Sequence, residues 1–244
     1  MKIVTIGNQK GGSGKTTTAA ALTQAAIHTG RKVLAIDLDP QGNLSFCMGA
    51  NANDAGAFEL LTGTPAKKLI QEYPGGLHII PASWNLATLK SYKGSARRLA
   101  AALQPLKGSY DLVIIDTPPT AGELQYNALQ ASTGLIIPLQ ADFFGLQGLY
   151  QMADTARQLQ QTNPGLQIMG VLFANYRGNT ILARDMRNTI IEKAGEIGIP
   201  SLGEIRQGIA VQEAQTMQES LFEYAPKSNP AQDYAQLLEK IMEG

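Results

Sequence analysis

Short apolar runs alternate with longer helical patterns from one end of the chain to the other. The runs rich in Val, Ile and Leu predict β-strands at residues 2–7, 33–37, 77–81, 112–116, 135–138 and 168–174. Helical patterns lie between and after them, at residues 15–29, 96–103, 123–130, 146–161, 181–195 and 231–242. Nearly continuous apolar strands are typical of parallel sheets that helices cover on both faces. The pattern therefore predicts an α/β fold with a doubly wound, mostly parallel sheet and helices on both faces.

The alternation continues through all 244 residues without an internal repeat or a Pro/Ser-rich linker. We therefore expect a single domain over residues 1–244. Residues 42–74 are the least regular part, and we expect short helices and loops above the sheet there. In such a sheet ligands bind at the carboxyl ends of the strands.

Composition and charge narrow the possible functions. Twenty Lys and Arg residues balance twenty Asp and Glu residues, so only a local basic patch could bind nucleic acid. The single cysteine, Cys47, excludes an internal disulfide and an all-cysteine metal site within one chain. No apolar run reaches the roughly 18–20 residues that span a bilayer, and the first residues are typical of a strand rather than a signal peptide. We therefore expect a cytoplasmic protein.

A glycine-rich segment, NQKGGSGKTT at residues 8–17, joins the first predicted strand to an alanine-rich helix. Its glycines allow backbone N–H groups to approach phosphate oxygens, and the helix N-terminus adds positive charge. Lys15 would reach the β- and γ-phosphates, and the Thr16 hydroxyl would bind Mg²⁺. Gln9 stands where the strict GxxxxGK[ST] motif has its first glycine, and a turn without a ligand is the alternative. The predicted phosphate-binding residues are Gly11, Gly12, Ser13, Gly14, Lys15, Thr16 and Thr17.

Two predicted strands end in aspartate. Asp37 and Asp39 follow residues 33–36, where a carboxylate can orient an attacking water, although a pair that caps the loop is the alternative. Asp116 follows a second apolar run and precedes Thr-Pro-Pro. This arrangement is typical of a Walker B strand, whose carboxylate binds Mg²⁺ directly or through water.

The string KGGSGKTT resembles the deviant Walker A motif of the ParA/MinD/NifH group of P-loop ATPases. In that group the additional lysine, Lys10 here, crosses a dimer interface to the phosphates of the other subunit. The resemblance implies a homodimer that sandwiches ATP, with ATP and Mg²⁺ as cofactors. It also implies that Lys10 and Lys15 act in catalysis.

The string DLDPQGN at residues 37–43 resembles the switch region of ParA-type proteins. The resemblance implies that Asp39 positions the attacking water and that Asp37 supports the Mg²⁺ shell. Asn175 is by itself either a turn residue or a ligand for a purine edge, and the resemblance implies adenine binding. Arg206 stands in GEIR where the family has Ile-Pro-Arg packed on the base, and the missing proline makes that loop different here.

Two further segments, residues 137–149 and residues 211–228, resemble partition ATPases, with Asp142 in place of a common Glu. The phosphate-binding loop begins at Gln9, which leaves no room before it for a helix-turn-helix extension, so the chain resembles the short, Soj-like form. The resemblance implies DNA partition: an ATP dimer that binds DNA non-specifically and is stimulated by a ParB-like centromere-binding protein. Such a protein would associate with the nucleoid when ATP is bound.

The DNA-binding candidates are Arg177, Arg184, Arg187 and Lys193. Arg184 and Arg187 share a helix face because they are three residues apart. Acidic residues such as Asp185 and Glu192 stand among them, so an ordinary solvated helix face is the alternative.

A MinD-like ATPase that cycles on membranes, or another spatial-positioning ATPase, is the competing functional hypothesis. MinD-like proteins end in a basic amphipathic helix that binds anionic lipid. Residues 231–244 instead carry Asp233, Glu239 and Glu243 against Lys240 alone, so we expect no membrane partner. An iron–sulfur carrier would need more cysteines than Cys47.

Overall fold

The computed structural model describes residues 1–53, 55–91 and 96–243, so Gly244, in the predicted C-terminal segment, lies outside the described residues. The strands in this part of the chain are β1 Lys2–Ile6, β2 Val33–Asp37, β3 Gln71–Tyr73, β4 Leu77–Ile80, β5 Leu112–Asp116, β6 Gly134–Leu139, β7 Gln167–Tyr176 and β8 Ser201–Arg206. The α-helices are α1 Lys15–His28, α2 Asn43–Cys47, α3 Ala57–Thr62, α4 Arg98–Leu103, α5 Glu123–Ala131, α6 Phe143–Gln160, α7 Ile181–Glu196, α8 Ile209–Met217, α9 Leu221–Tyr224 and α10 Asn229–Glu243.

The described strands form one sheet of eight, in the order β3-β4-β2-β5-β1-β6-β7-β8. Neighbouring strands are parallel except for the pair β3 and β4 at one edge. In the central strands Ile6 and Asp37 both pair with Asp116, which brings the carboxyl ends of β1, β2 and β5 level. The predicted fold class is confirmed.

Helices pack on both faces of the sheet. The alanine-rich α1 packs against β5, β2 and β1. Helix α10 packs against α1, and its buried side chains Tyr234, Leu238 and Ile241 join the same core. The apolar residues of α10 are therefore part of the core. No helix within the described residues combines the length and hydropathy that crossing a bilayer requires.

The edges of the sheet differ from the sequence-based expectation. We expected residues 203–206 in a loop, but they belong to β8. We expected only short helices and loops in residues 42–74, but residues 71–73 form β3. Both are edge strands, which need only one partner and so tolerate polar residues such as Glu72 and Glu204 that obscure the apolar pattern. Helix α6 begins at Phe143, three residues before the predicted start, because the Asp142 side chain accepts a hydrogen bond from the Gly145 amide and caps it.

Candidate functional site

The loop between β1 and α1 has the geometry of a phosphate-binding loop. Gly12 and Gly14 have φ angles of 71° and 90°, a left-handed conformation that favours glycine. A Cβ atom on Gly14 would also lie 2.6 Å from the Ala174 Cβ. Helix α1 starts at Lys15 without a side-chain cap, so the first N–H groups of the helix face the loop.

Lys15, the first residue of α1, directly follows this loop. Its ammonium group donates to the carbonyl oxygen of Lys10 at 3.0 Å. Burial lowers the pKa of Lys15, and the nearby carboxylates of Asp116 and Asp39 act in the opposite direction. The side chain therefore places a positive charge against the phosphate-binding loop, close to Asp116 and Asp39.

Thr16 and Asp116 provide hard oxygen ligands beside Lys15. The Thr16 hydroxyl donates to Asp116 Oδ2 at 2.7 Å. Complete burial holds the pKa of Asp116 well above its usual range, and the charge of Asp37 raises it further. No cluster of three His, Cys, Asp or Glu residues suited to a metal occurs in the described ranges, so a cation here would share Thr16 and Asp116 with phosphate oxygens and water.

Asp37 and Asp39 have different surroundings. Asp37 accepts hydrogen bonds from the Asp39 amide at 3.0 Å and from the amide and hydroxyl of Ser45, both at 2.8 Å. Burial raises the pKa of Asp37 to about 6. These contacts tie β2 to α2, so Asp37 supports the loop that carries Asp39, and Asp39 is the one of the two that lines the cleft.

A cleft of about 790 Å³ extends from the phosphate-binding loop to the end of β7 and the start of α8. This volume lies within the usual range for small-molecule sites. Asn175 lines the cleft in a left-handed conformation, with φ 54°, at the position predicted for adenine binding. Arg206 also lines it, while its guanidinium group pairs with Asp233 on α10 at 2.7 Å.

Lys10 is not among the residues that line this cleft. Its ammonium group contacts the two carboxylate oxygens of Asp142 at 2.9 and 3.1 Å. It also lies 5.1 Å from the centre of the Phe144 ring. The two lysines of the loop therefore face different surroundings, with Lys15 inside the cleft and Lys10 at its rim.

Comparisons with known proteins agree with this geometry. Residues 1–168 match the family model described as AAA domain. The chain is 34% identical over 245 residues to the chromosome-partitioning ATPase Soj of Thermus thermophilus, covering 98% of this chain and 94% of that protein. It is 33% identical over 257 residues to the chromosome partitioning protein ParA of Caulobacter vibrioides, covering 99% and 94%. The chain belongs to the Soj/ParA family of ATPases.

A solved structure with a different name has the same fold as this Soj/ParA chain. Cobyrinic acid a,c-diamide synthase from Mycobacterium smegmatis, with bound ADP and magnesium, matches with a TM-score of 0.84 at 31% identity. The match covers 98% of this chain and 93% of that chain. The predicted enzyme class and cofactors are confirmed: the protein is an ATP hydrolase that uses ATP and Mg²⁺.

The four DNA-binding candidates of this Soj/ParA protein have different surroundings. Arg177 lines the nucleotide cleft, and the exposed Arg184 donates to the Gly178 carbonyl at 2.8 Å. Arg187 is half-buried and pairs with Glu204 at 2.7 Å. Lys193 lies further along α7 and pairs with Glu196, also at 2.7 Å.

Several residues that shape the site were not predicted from the sequence. Asn8 Oδ1 accepts from the Lys10 amide at 3.0 Å, and Asn8 Nδ2 donates to the Pro138 carbonyl at 2.7 Å. Gln140 donates to the carbonyl oxygen of Gly12 at 3.1 Å. The Ser45 hydroxyl donates a hydrogen bond to Asp37, and the Asp233 carboxylate accepts one from Arg206. The signals in the sequence are that Asn8 stands within the glycine-rich string at residues 8–17 and Gln140 within the partition-like string at residues 137–149.

Proposed function

We propose that this protein drives DNA partition as an ATP-dependent homodimer. One observation carries the proposal: Lys15 lies within the nucleotide cleft, whereas Lys10 lies outside it, at its rim. A lysine outside its own cleft can serve the nucleotide of a second subunit, as the family resemblance implies. The similarity to Soj and ParA along nearly the whole chain supports partition as the process that the ATPase serves.

Each residue of the site has a proposed part in hydrolysis. The loop amides and Lys15 bind the β- and γ-phosphates, and Ser13 Oγ, which is buried without a partner among the described residues, faces the same phosphates. Thr16 and Asp116 would hold Mg²⁺, with Asp37 supporting its shell, and the ion would neutralise charge on the phosphates. Asp39 orients the attacking water, and Lys10 of the second subunit stabilises charge that develops during transfer.

Asn175 and Arg206 are the proposed contacts of the adenine. Asn175, near the carboxyl end of β7, lines the cleft in a left-handed conformation, and its amide can both donate to and accept from a purine edge. Asp233 holds Arg206 through the backbone amide at 2.9 Å and through the guanidinium group. The base would therefore lie against a fixed β8–α8 connection.

The proposed DNA contacts are to phosphates, on the face that carries Arg177 and Arg184. Two such faces in a dimer double the phosphate contacts, which reconciles a formal net charge of zero with ATP-dependent DNA binding. Arg187 and Lys193 are weaker members of this set because Glu204 and Glu196 neutralise them. A ParB-like partner would stimulate hydrolysis and release the DNA, and the ATP-bound protein would associate with the nucleoid.

Retention of unrelated DNA fragments at low salt tests this proposal. We expect wild-type protein to bind them with ATP and not with ADP, with an affinity that falls steeply as salt rises. Arg184→Glu should weaken binding to every sequence equally because phosphate contacts carry no base information. Lys67→Glu, an exposed charge reversal near the opposite edge of the sheet, is the matched control. Absence of DNA retention by the wild-type ATP dimer would contradict the proposed function.

A further inference from the structure

The contact between Lys10 and Asp142 joins two segments that both face the nucleotide cleft. Asp142 stands three residues beyond the end of β6, in a loop that meets the phosphate-binding loop at two points. Gln140 donates to the Gly12 carbonyl, and Asp142 pairs with the Lys10 side chain. Asn8 fixes the Lys10 backbone from the other side. The Lys10 ammonium group is therefore fixed by its ion pair with Asp142 and does not extend freely into solvent.

The Asp142 carboxylate is itself fixed in place. It accepts a hydrogen bond from the Gly145 amide at 2.6 Å, as the cap of α6. A Cβ atom on Gly145 would collide with the Gln140 carbonyl oxygen, so glycine is required where the helix starts. The cap therefore presents the carboxylate to Lys10 in one orientation.

The pair is suited to being broken. The side chains of Lys10 and Asp142 are 26% and 39% exposed, and exposed ion pairs contribute little stability. The triphosphate of a second subunit carries several negative charges and would attract Lys10 more strongly than a single carboxylate does. Phe143 and Phe144, beside the pair, are 69% and 60% exposed and form an apolar rim that a second copy of the chain could cover.

We propose that Asp142 is a positioning residue that holds Lys10 on its own subunit and gives it up only to the nucleotide of a second subunit. This inference rests on the proposed ATP dimer. Each of the two subunits must break one Lys10–Asp142 contact when the dimer forms. Asp142 therefore opposes association, and the dimer depends more strongly on bound nucleotide. The pair thus acts as a restraint on self-association.

Two substitutions separate the charge of Asp142 from its capping role. Asp142→Asn removes the charge and retains the cap, because Asn and Asp cap helices equally well. Asp142→Glu retains the charge and weakens the cap. Asp154→Asn removes an exposed carboxylate from the same helix and is the matched control.

The test is the dimer dissociation constant, measured by sedimentation velocity with Mg²⁺ and a non-hydrolysable ATP analogue. We expect Asp142→Asn to lower this constant by about 2- to 30-fold, the range that two exposed ion pairs would give. Asp142→Glu and Asp154→Asn should leave it within twofold of wild type, although Asp142→Glu lowers the melting temperature. Unchanged or weaker association of Asp142→Asn, with a normal wild-type dimer, overturns the inference and leaves the proposed function intact.

A second measurement, on the monomer without nucleotide, keeps the two proposals apart. Lys10 should be acylated faster by an amine-reactive reagent in Asp142→Asn than in wild type or Asp154→Asn, as mass spectrometry would show. An equal rate overturns the restraint. A wild-type protein that never dimerises with the analogue overturns the restraint and the proposed function together.

Discussion

At the scale of single residues, the side chains proposed to bind the nucleotide and those proposed to act on it have different surroundings. Lys15 lies in the cleft beside Asp116, and Asp39 lines the cleft further along. Asp37, two residues before Asp39, instead accepts hydrogen bonds from the backbone amides of Asp39 and Ser45. Substitutions at these positions should therefore fail in different ways.

Lys15→Ala should abolish ATP binding. It removes the cation that faces the β- and γ-phosphates, and the loop amides alone do not replace this charge. Isothermal titration calorimetry at saturating Mg²⁺ measures the loss. An ATP affinity close to that of wild type would contradict the assignment of the phosphate-binding loop.

Asp39→Ala should bind ATP and Mg²⁺ normally and hydrolyse ATP very slowly. Orienting a water stabilises the transition state more than the bound ground state, so the affinity persists while turnover falls, by about 100-fold or more. The variant should accumulate as the ATP dimer in light scattering. Loss of ATP binding would place Asp39 among the metal-binding or structural residues instead.

Asp37 should make the stability of the ligand-free protein depend on pH. Its pKa is about 6 in the folded protein and about 3.9 in the unfolded chain, so the folded state binds the proton more tightly. The free energy of unfolding contributed by this group therefore decreases as pH rises from about 4 to about 6. Urea unfolding across this range measures the slope, and Asp37→Asn should lack this part of it. An identical slope in both proteins would show that another group is responsible.

At the scale of elements, the sequence predicts what local chemistry determines and misses what neighbours determine. The strands that became β1, β2, β4, β5, β6 and β7 were predictable because they are apolar runs buried on both faces. Strands β3 and β8 were not, because each is a polar edge strand held by one partner. The start of α6 was missed because Gly145 and Gly148 weaken the helical pattern, although packing requires both.

The same distinction applies to the site. The glycine-rich turn between β1 and α1 and the end of β5 at Asp116 could be predicted because their patterns are local in sequence. The partner of Lys10 could not, since Asp142 follows a different strand and meets Lys10 only where β1 and β6 lie side by side. The pairing of Arg187 with Glu204 could not be predicted from the sequence either. It makes Arg187 less available for a DNA contact.

The packing of α10 on α1 should be required for stability. Leu238 is completely buried between these helices, so Leu238→Ala should lower the free energy of unfolding by about 2–5 kcal/mol. Leu182→Ala, the same substitution at a side chain that is 72% exposed, should change it by less than about 0.5 kcal/mol. Denaturant unfolding compares the two. Equal effects would contradict the assigned core.

At the scale of the whole molecule, we propose a subunit whose ATP site is completed by a second copy. The cleft contains the binding groups of one subunit, and Lys10 stands at its rim with Asp142 and Phe144. Association, hydrolysis and DNA binding would then depend on one another through Lys10. A monomer would bind ATP but hydrolyse it poorly, and it would present only half of the DNA contacts.

The most direct test of this account is sedimentation velocity of wild type and Lys10→Ala at several protein concentrations, each with ATP–Mg²⁺ and with ADP–Mg²⁺. Wild type should double its mass with ATP and stay monomeric with ADP. Lys10→Ala should bind ATP with normal affinity by calorimetry and remain a monomer at concentrations where wild type is dimeric. A Lys10→Ala protein that dimerises and hydrolyses ATP as wild type does would contradict the account.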